Sequence, residues 1–150
     1  MSTPKFSLQN VLDLRHGQVE LLEIELGKLQ AIHQETQNLR ASLEQYQASL
    51  LDQLSETQTG EIDLVKLNLL RLNVLQTNKH IELVIVELKK QSIAIDDKRF
   101  QLVEAKQSEE TLEILKRKRH EIYMAEQVQI EAHAQDDIYI ARAFRNQQGA

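Results

Sequence analysis

Histidines and acidic residues are the side chains of this 150-residue chain that could ligate a metal or act as an acid or base. His120 and Glu121 begin a zinc-protease pattern, but Met124 stands where the second histidine would be needed. His133 and Asp137 are four residues apart and share one face of a helix, which we interpret as a surface pair. Cysteine is absent, so thiolate ligands and disulfides are excluded. We therefore expect no metal, no cofactor and no enzymatic activity.

The other group of residues that could bind a ligand is one dense basic cluster, Lys116-Arg117-Lys118-Arg119 followed by His120. Consecutive residues point around a helix, so the cluster does not form a single patch by itself. Glu113 precedes Arg117 by four residues, an offset that favours an ion pair. Two interpretations stay open: a solvated helix face, or a docking belt for an acidic partner surface.

The charge balance argues against nucleic acid as a partner. The net charge is −5, and residues 1–60 carry four basic against eight acidic side chains. Residues 61–150 are nearly balanced, with fourteen basic and fifteen acidic side chains. A net negative charge argues against general nucleic-acid binding.

The composition is that of long helices rather than of a globular core. Aromatic residues are 4%, tryptophan is absent, and Pro4 is the single proline. Leucine, isoleucine, glutamate and glutamine dominate, as in coiled coils. No uninterrupted apolar run is longer than that of Leu83–Val86, which is far short of the ~20 residues that span a bilayer. The N-terminus has no apolar run of signal-peptide length, so we expect a cytoplasmic protein that is not inserted in a membrane.

The interior contains one clear helix break, Thr57-Gln58-Thr59-Gly60. Apolar residues recur every three to four positions on both sides of it. This predicts an all-α fold, a long antiparallel two-helix coiled-coil hairpin that forms a single domain over residues 1–150. Helix one is predicted at about 4–56, with Thr3 and Pro4 at its start, the turn at 57–60, and the second arm at about 61–145. The two chain ends should then lie together.

The apolar pattern also predicts which residues face the partner helix. In helix one, Leu26, Leu29 and Ile32 come at steps of three, which indicates a phase slip. After the slip the predicted seam passes through Leu39 and Tyr46. In the second arm, Phe100, Val103 and Ile114 lie on one predicted track.

The second arm carries an apolar surplus. Residues 62–88 are apolar around most of the helix, which requires burial on more than one side. This arm is also some thirty residues longer than helix one. Two alternatives follow. Either residues 62–78 form a separate short helix that folds over the turn, with a break near 77–79, or the segment docks on another protein.

Short motifs at both ends of the chain carry a family resemblance. The N-terminal motif is Lys5-Phe6-x-Leu8-x-x-Val11-Leu12-x-Leu14-Arg15. The C-terminal arm contributes Leu102-Val103-Glu104-Ala105, Glu110-x-Leu112-Glu113-x-Leu115-Lys116-x-Lys118-Arg119, Glu126-Gln127, Asp136-Asp137 and Ala141-Arg142. Together they resemble the FliJ family of the flagellar type III export apparatus, to which the stalk proteins of injectisomes are related. The run from Leu83 to Val86 departs from the family pattern.

The resemblance implies a non-enzymatic stalk and adaptor, similar in shape to the central stalk of rotary ATPases. Its paired termini would insert into the hexameric export ATPase, and another part would contact the cytoplasmic domain of the export gate or export chaperones. It would work in the cytoplasm, peripheral to the inner-membrane export apparatus. The implied ATPase-facing residues are Phe6, Leu8, Val11, Leu12, Arg15, Asp137, Ala141 and Arg142. The implied gate or chaperone contact is Leu69, Leu72, Val84 and Val86.

A function of another class stays open beside the resemblance. The apolar segment 62–88 is equally suited to serve as the interface of a generic coiled-coil scaffold or homodimer.

Overall fold

The computed structural model describes residues 5–149 and contains two long helices that pack against each other. They are α1 (Gln9–Thr57) and α2 (Leu64–Gln148), with no strand in the described range. The predicted all-α hairpin is therefore confirmed. None of the described helices is long and apolar enough to span a bilayer.

The start of α1 differs from the prediction of a helix from about residue 4. Residues 5–8 are not helical, and the Gln9 N–H donates to the Phe6 carbonyl at 3.0 Å. The predicted cap at Thr3 and Pro4 lies outside the described residues.

The turn between the helices is formed as the sequence predicts, around Gly60. Its φ of 90° lies in the left-handed region, which glycine adopts without a steric penalty. α2 begins slightly later than predicted, because Asp63 caps it. The Asp63 Oδ1 accepts from the N–H groups of Val65 at 3.1 Å and Lys66 at 3.3 Å, which satisfies donors that the first turn leaves unpaired.

The chain divides into two compact units, each made of one part of α1 and one part of α2. We call residues 19–104 the turn unit, and residues 1–18 with 105–150 the terminal unit. In the turn unit, Glu25 binds Lys98 at 2.8 Å and His33 Nδ1 lies 3.0 Å from the Gln91 Oε1. From the first contact to the second, the residue number rises in α1 and falls in α2, so the helices are antiparallel.

The seam of the turn unit follows an unbroken alternation of three- and four-residue steps. On α1 the half-buried and buried seam residues are Val19, Leu22, Leu26, Leu29, His33, Thr36, Arg40, Leu43, Gln47, Leu50 and Leu54. The predicted phase slip is absent. Ile32, Leu39 and Tyr46, which the slip would have placed in the seam, are 43–51% exposed.

On α2 the same alternation runs straight through the predicted break near 77–79. Its seam residues are Leu67, Leu70, Val74, Thr77, Ile81, Val84, Leu88, Gln91, Ile95, Lys98 and Leu102. Thr77 is buried and donates to the Asn73 carbonyl, while Asn78 accepts from the Gln47 amide across the seam. The separate short helix is thus ruled out by a continuous α2. The predicted Phe100 track is also wrong, since Phe100 is 64% and Val103 52% exposed.

Candidate interaction surfaces

The described residues offer no arrangement suited to metal binding. No three histidine or acidic side chains within residues 5–149 come close enough together to hold a metal ion. Surfaces, rather than an enclosed site, are therefore the features to which a function can be assigned.

The non-helical stretch before α1 and the first two turns of α1 contain the first five of the implied ATPase-facing residues. Leu12 is buried in the seam of the terminal unit at 7% exposure, and Phe6 and Leu8 are half-buried. Val11 is 40% exposed. Arg15 is exposed and donates to the Gln18 Oε1 at 3.3 Å. This segment is held against α2 by Leu12 and presents Val11 and Arg15 to the outside.

The other three implied residues, Asp137, Ala141 and Arg142, lie far along α2 from that segment. In the terminal unit His16 Nδ1 lies 2.9 Å from the Glu109 Oε1, and the Arg119 guanidinium donates to the Ser7 Oγ at 2.8 Å. Asp137 follows Arg119 by about 27 Å of helix axis, at 1.5 Å per residue. The two sets of residues are therefore not brought together. The predicted pairing of Met1 with Ala150 concerns positions outside the described residues.

Instead, within the described residues 5–149, α2 continues beyond the start of α1 without a segment beside it. We call residues 128–148 the overhang. All of its residues are exposed, and no residue of α1 lies opposite them. The length difference between the arms thus falls at the C-terminal end of α2. The sequence analysis instead predicts the surplus of the second arm at residues 62–88, next to the turn.

The overhang keeps the seam spacing although α1 is no longer beside it. The three- and four-residue steps that place Arg119 and Tyr123 on the α1-facing side lead on to Ile130, Ile140 and Phe144. These three side chains are 55%, 64% and 58% exposed. The same steps also pass through His133 and Asp137, so this side of the overhang is apolar only in part, and the sequence analysis did not single it out.

The basic cluster is split by the fold, as its consecutive positions predicted. Lys116, Arg119 and His120 line a notch of about 360 Å³ in the terminal unit. The N-terminal stretch Lys5-Phe6-Ser7 forms its other wall, and Tyr123 completes the lining. Arg117 faces a neighbouring, more open depression that also contains Glu113. The predicted ion pair between these two residues is not formed.

The turn unit presents an apolar stripe on α2, on the side that points away from α1. We define it as Val65, Leu69, Leu72, Leu83 and Val86, which are 49–71% exposed. The stripe contains three of the four residues implied as a gate or chaperone contact. The fourth, Val84, is only 6% exposed because it packs in the seam, so it does not belong to this surface.

Comparison with known proteins gives one finding. The family model described as "Flagellar FliJ protein" matches residues 4–149. No curated protein and no solved structure matches the chain. The match spans both helices, the notch, the stripe and the overhang.

Proposed function

Because the chain belongs to the FliJ family, whose members are components of the flagellar export apparatus, we propose that it serves there as a non-enzymatic coiled-coil stalk and adaptor. In this proposal the terminal unit inserts into the hexameric export ATPase. The turn unit contacts the cytoplasmic domain of the export gate or export chaperones. The protein works on the cytoplasmic side, peripheral to the inner-membrane apparatus.

The overhang is the observation that carries the insertion proposal. A single helix with Ile130, Ile140 and Phe144 exposed along one side leaves apolar surface in water that burial against a partner would stabilise. A lone helix is about 10–12 Å wide, so it can enter a narrower opening than two paired helices can. The leading element is then the overhang alone, with Asp137, Ala141 and Arg142 on it, rather than two paired termini.

The exposed stripe supports a second contact. Val65, Leu69 and Leu72 lie on one face of α2, and Leu83 and Val86 continue that face. Contiguous exposed apolar surface of this kind marks interaction sites. Since the stripe belongs to the turn unit and the overhang to the terminal unit, the two surfaces can be tested separately.

The test of insertion is the ATPase activity of the cognate export ATPase, purified as its hexamer. Full-length protein is expected to raise the turnover rate. A variant that ends at Gln127, and so lacks the overhang, should bind more weakly and lose the stimulation. The double variant Leu69→Ser, Leu72→Ser should stimulate normally, because it leaves the terminal unit unchanged. Full stimulation by the truncated protein would refute insertion of the overhang.

The same stripe variant tests the second contact. Leu69→Ser, Leu72→Ser should abolish binding to the isolated gate domain or to an export chaperone in a titration calorimeter. The double variant Leu21→Ser, Ile24→Ser is the matched control, since these side chains are 56% and 57% exposed in the same unit but lie on α1 and not on the stripe. Equal binding by both variants would remove the stripe from the proposal.

Light scattering addresses the scaffold alternative. The stalk proposal expects a monomer in the absence of partners. A dimer that is independent of concentration, that dissociates in the stripe variant and that leaves the ATPase unaffected would replace the stalk with a homodimeric scaffold.

A further inference from the structure

The basic notch of the terminal unit has a ligand chemistry of its own. We propose that it binds an acidic peptide segment of a partner protein, with carboxylates on Lys5, Lys116 and Arg119 and an apolar side chain between the rings of Phe6 and Tyr123. The inference goes beyond the stalk function, because it concerns a defined site on the isolated chain and holds whichever protein supplies the segment.

The charge of the notch is the first argument. Its lining contains Lys5, Lys116 and Arg119 and no acidic side chain, in a chain whose net charge is −5. Within the described residues none of these three cations forms an ion pair with a carboxylate. Ion pairs do form at other places in the chain, such as Lys98 with Glu25 and Arg40 with Glu44. An acidic ligand is thus repelled by the chain as a whole and attracted at this place.

The geometry of Arg119 is the second argument. Its guanidinium donates to the Ser7 Oγ at 2.8 Å and lies 5.3 Å from the centroid of the Phe6 ring. A guanidinium held between a hydroxyl and an aromatic face has lost most of its rotamer freedom before a ligand arrives. One N–H is used by Ser7, and the planar group retains others for a carboxylate.

The composition of the walls favours a peptide over a small anion. Phe6 and Tyr123 supply aromatic surface beside the cations, and a volume of about 360 Å³ exceeds what a single carboxylate or phosphate fills. A peptide segment with carboxylates on both sides of an apolar residue contacts the cations and the aromatic rings at the same time. Lys116, Arg119, His120 and Tyr123 come at helical steps of three and four, so they share the face of α2 that forms one wall.

The test is a titration of the ¹⁵N-labelled full-length protein followed by NMR. The probe is the acetylated hexapeptide Glu-Glu-Leu-Glu-Glu-Leu, and its Gln-for-Glu counterpart is the neutral control. The acidic peptide should shift the amide signals of residues 5–7 and 116–123. Added salt should lower the affinity of the peptide, because it screens the charges. Arg119→Gln should reduce the affinity about fivefold or more, as expected for the loss of a charge-assisted hydrogen bond.

Lys118→Gln is the matched control. It removes the same charge from the same cluster at a position that lines neither depression, and it should change the affinity less than about twofold. Both positions are exposed, so both variants should melt at the wild-type temperature. Equal losses in the two variants would mean diffuse attraction and would overturn the site.

Inorganic tripolyphosphate distinguishes the ligand class. If tripolyphosphate shifts the notch signals with the same dependence on Arg119 while the acidic peptide does not bind, the site takes phosphate and the peptide proposal is wrong. Since no ATPase is present in the titration, its result is separate from the outcome of the stimulation assay.

Discussion

Gly17 and Gly27 stand inside α1 without a structural demand for glycine. A Cβ added at either position meets no atom within 4 Å beyond the helix's own backbone. Neither glycine therefore serves a close approach of α2. Gly60 also has open space around it, but its φ of 90° is one that other residues adopt only with strain. The conformation, and not the space, decides which glycine matters.

Gly27→Ala is therefore expected to raise the free energy of unfolding by about 1 kcal/mol, since alanine is the better helix former. Gly60→Ala should lower it by about 1 kcal/mol or more, because the left-handed conformation strains a Cβ. Urea titrations followed by circular dichroism measure both. A loss of stability in Gly27→Ala would show that α1 is tighter at this position than its open surroundings indicate.

At the scale of the elements, the hairpin could be predicted and the phase of its seam could not. Gly60 and the apolar spacing were sufficient for two antiparallel helices. The apolar residues Ile32, Leu39 and Tyr46 nevertheless lie outside the seam, and the polar residues His33, Arg40 and Gln47 occupy it instead. Hydrophobicity alone favours the former set, whereas only the latter continues the alternating three- and four-residue steps from Leu26 and Leu29 without a slip.

Cross-seam hydrogen bonds explain why polar residues are accepted there. The His33 Nδ1 is 3.0 Å from the Gln91 Oε1, and the Gln91 Nε2 donates to the Thr36 Oγ1 at 2.9 Å. Asn78 lies where the sequence predicts a break near 77–79, but its side chain accepts a hydrogen bond from Gln47 within a continuous helix. Such pairs depend on which residues of two distant segments meet, and no local pattern contains that information.

The polar layer leads to a prediction at this scale. Gln91→Leu alone should lower the free energy of unfolding by about 1–2 kcal/mol, because the His33 ring and the Thr36 hydroxyl each lose a partner in a half-buried place. Adding His33→Leu should recover that loss, since apolar residues then meet across the seam. Thermal and urea unfolding of Gln91→Leu, His33→Leu and the double variant give the coupling free energy between the two positions. If the two single losses simply add up in the double variant, the layer does not act as a unit.

For the whole molecule, the amount of buried surface is the governing quantity. The accessible area is 11836 Å², whereas a globular monomer of this mass exposes about 7,900 Å². The hydrophobic core within the described residues consists of eight side chains, and none of its members is fully buried. Stability is thus supplied by a seam alone, and burial of the stripe, the notch or the overhang by a partner adds to it directly.

The position of the unpaired length could not be derived from the sequence. Arms of 49 and 85 residues can leave their difference at the turn or at the chain end. The apolar excess of residues 62–88 favoured the turn. The contact of Arg119 with Ser7 and Phe6 shows that the unpaired length lies at the C-terminal end of α2. The start of α1 lies beside Arg119, and α2 continues from there to Gln148. This alignment also makes the notch, whose two walls are more than a hundred residues apart in sequence.

Since the overhang buries nothing against α1, its removal should leave the seam intact. A variant ending at Gln127 is expected to melt within about 2 °C of the full-length protein, although its helical signal falls by the share of residues 128–148. Leu12→Ala is the contrasting variant. This substitution truncates a side chain that is 7% exposed in the same unit, so it should lower the free energy of unfolding by about 2–3 kcal/mol.

Hydrogen exchange provides the residue-level measurement for the same question. Amides of residues 128–148 should exchange faster than those opposite α1, because helix alone protects them and no tertiary packing does. On binding the export ATPase they should become protected, while amides of the turn unit stay unchanged. A large fall in melting temperature on truncation, or strong protection of the overhang in the free protein, would mean that it packs on a surface of its own chain. The overhang would then be part of the fold and no longer a free surface for a partner.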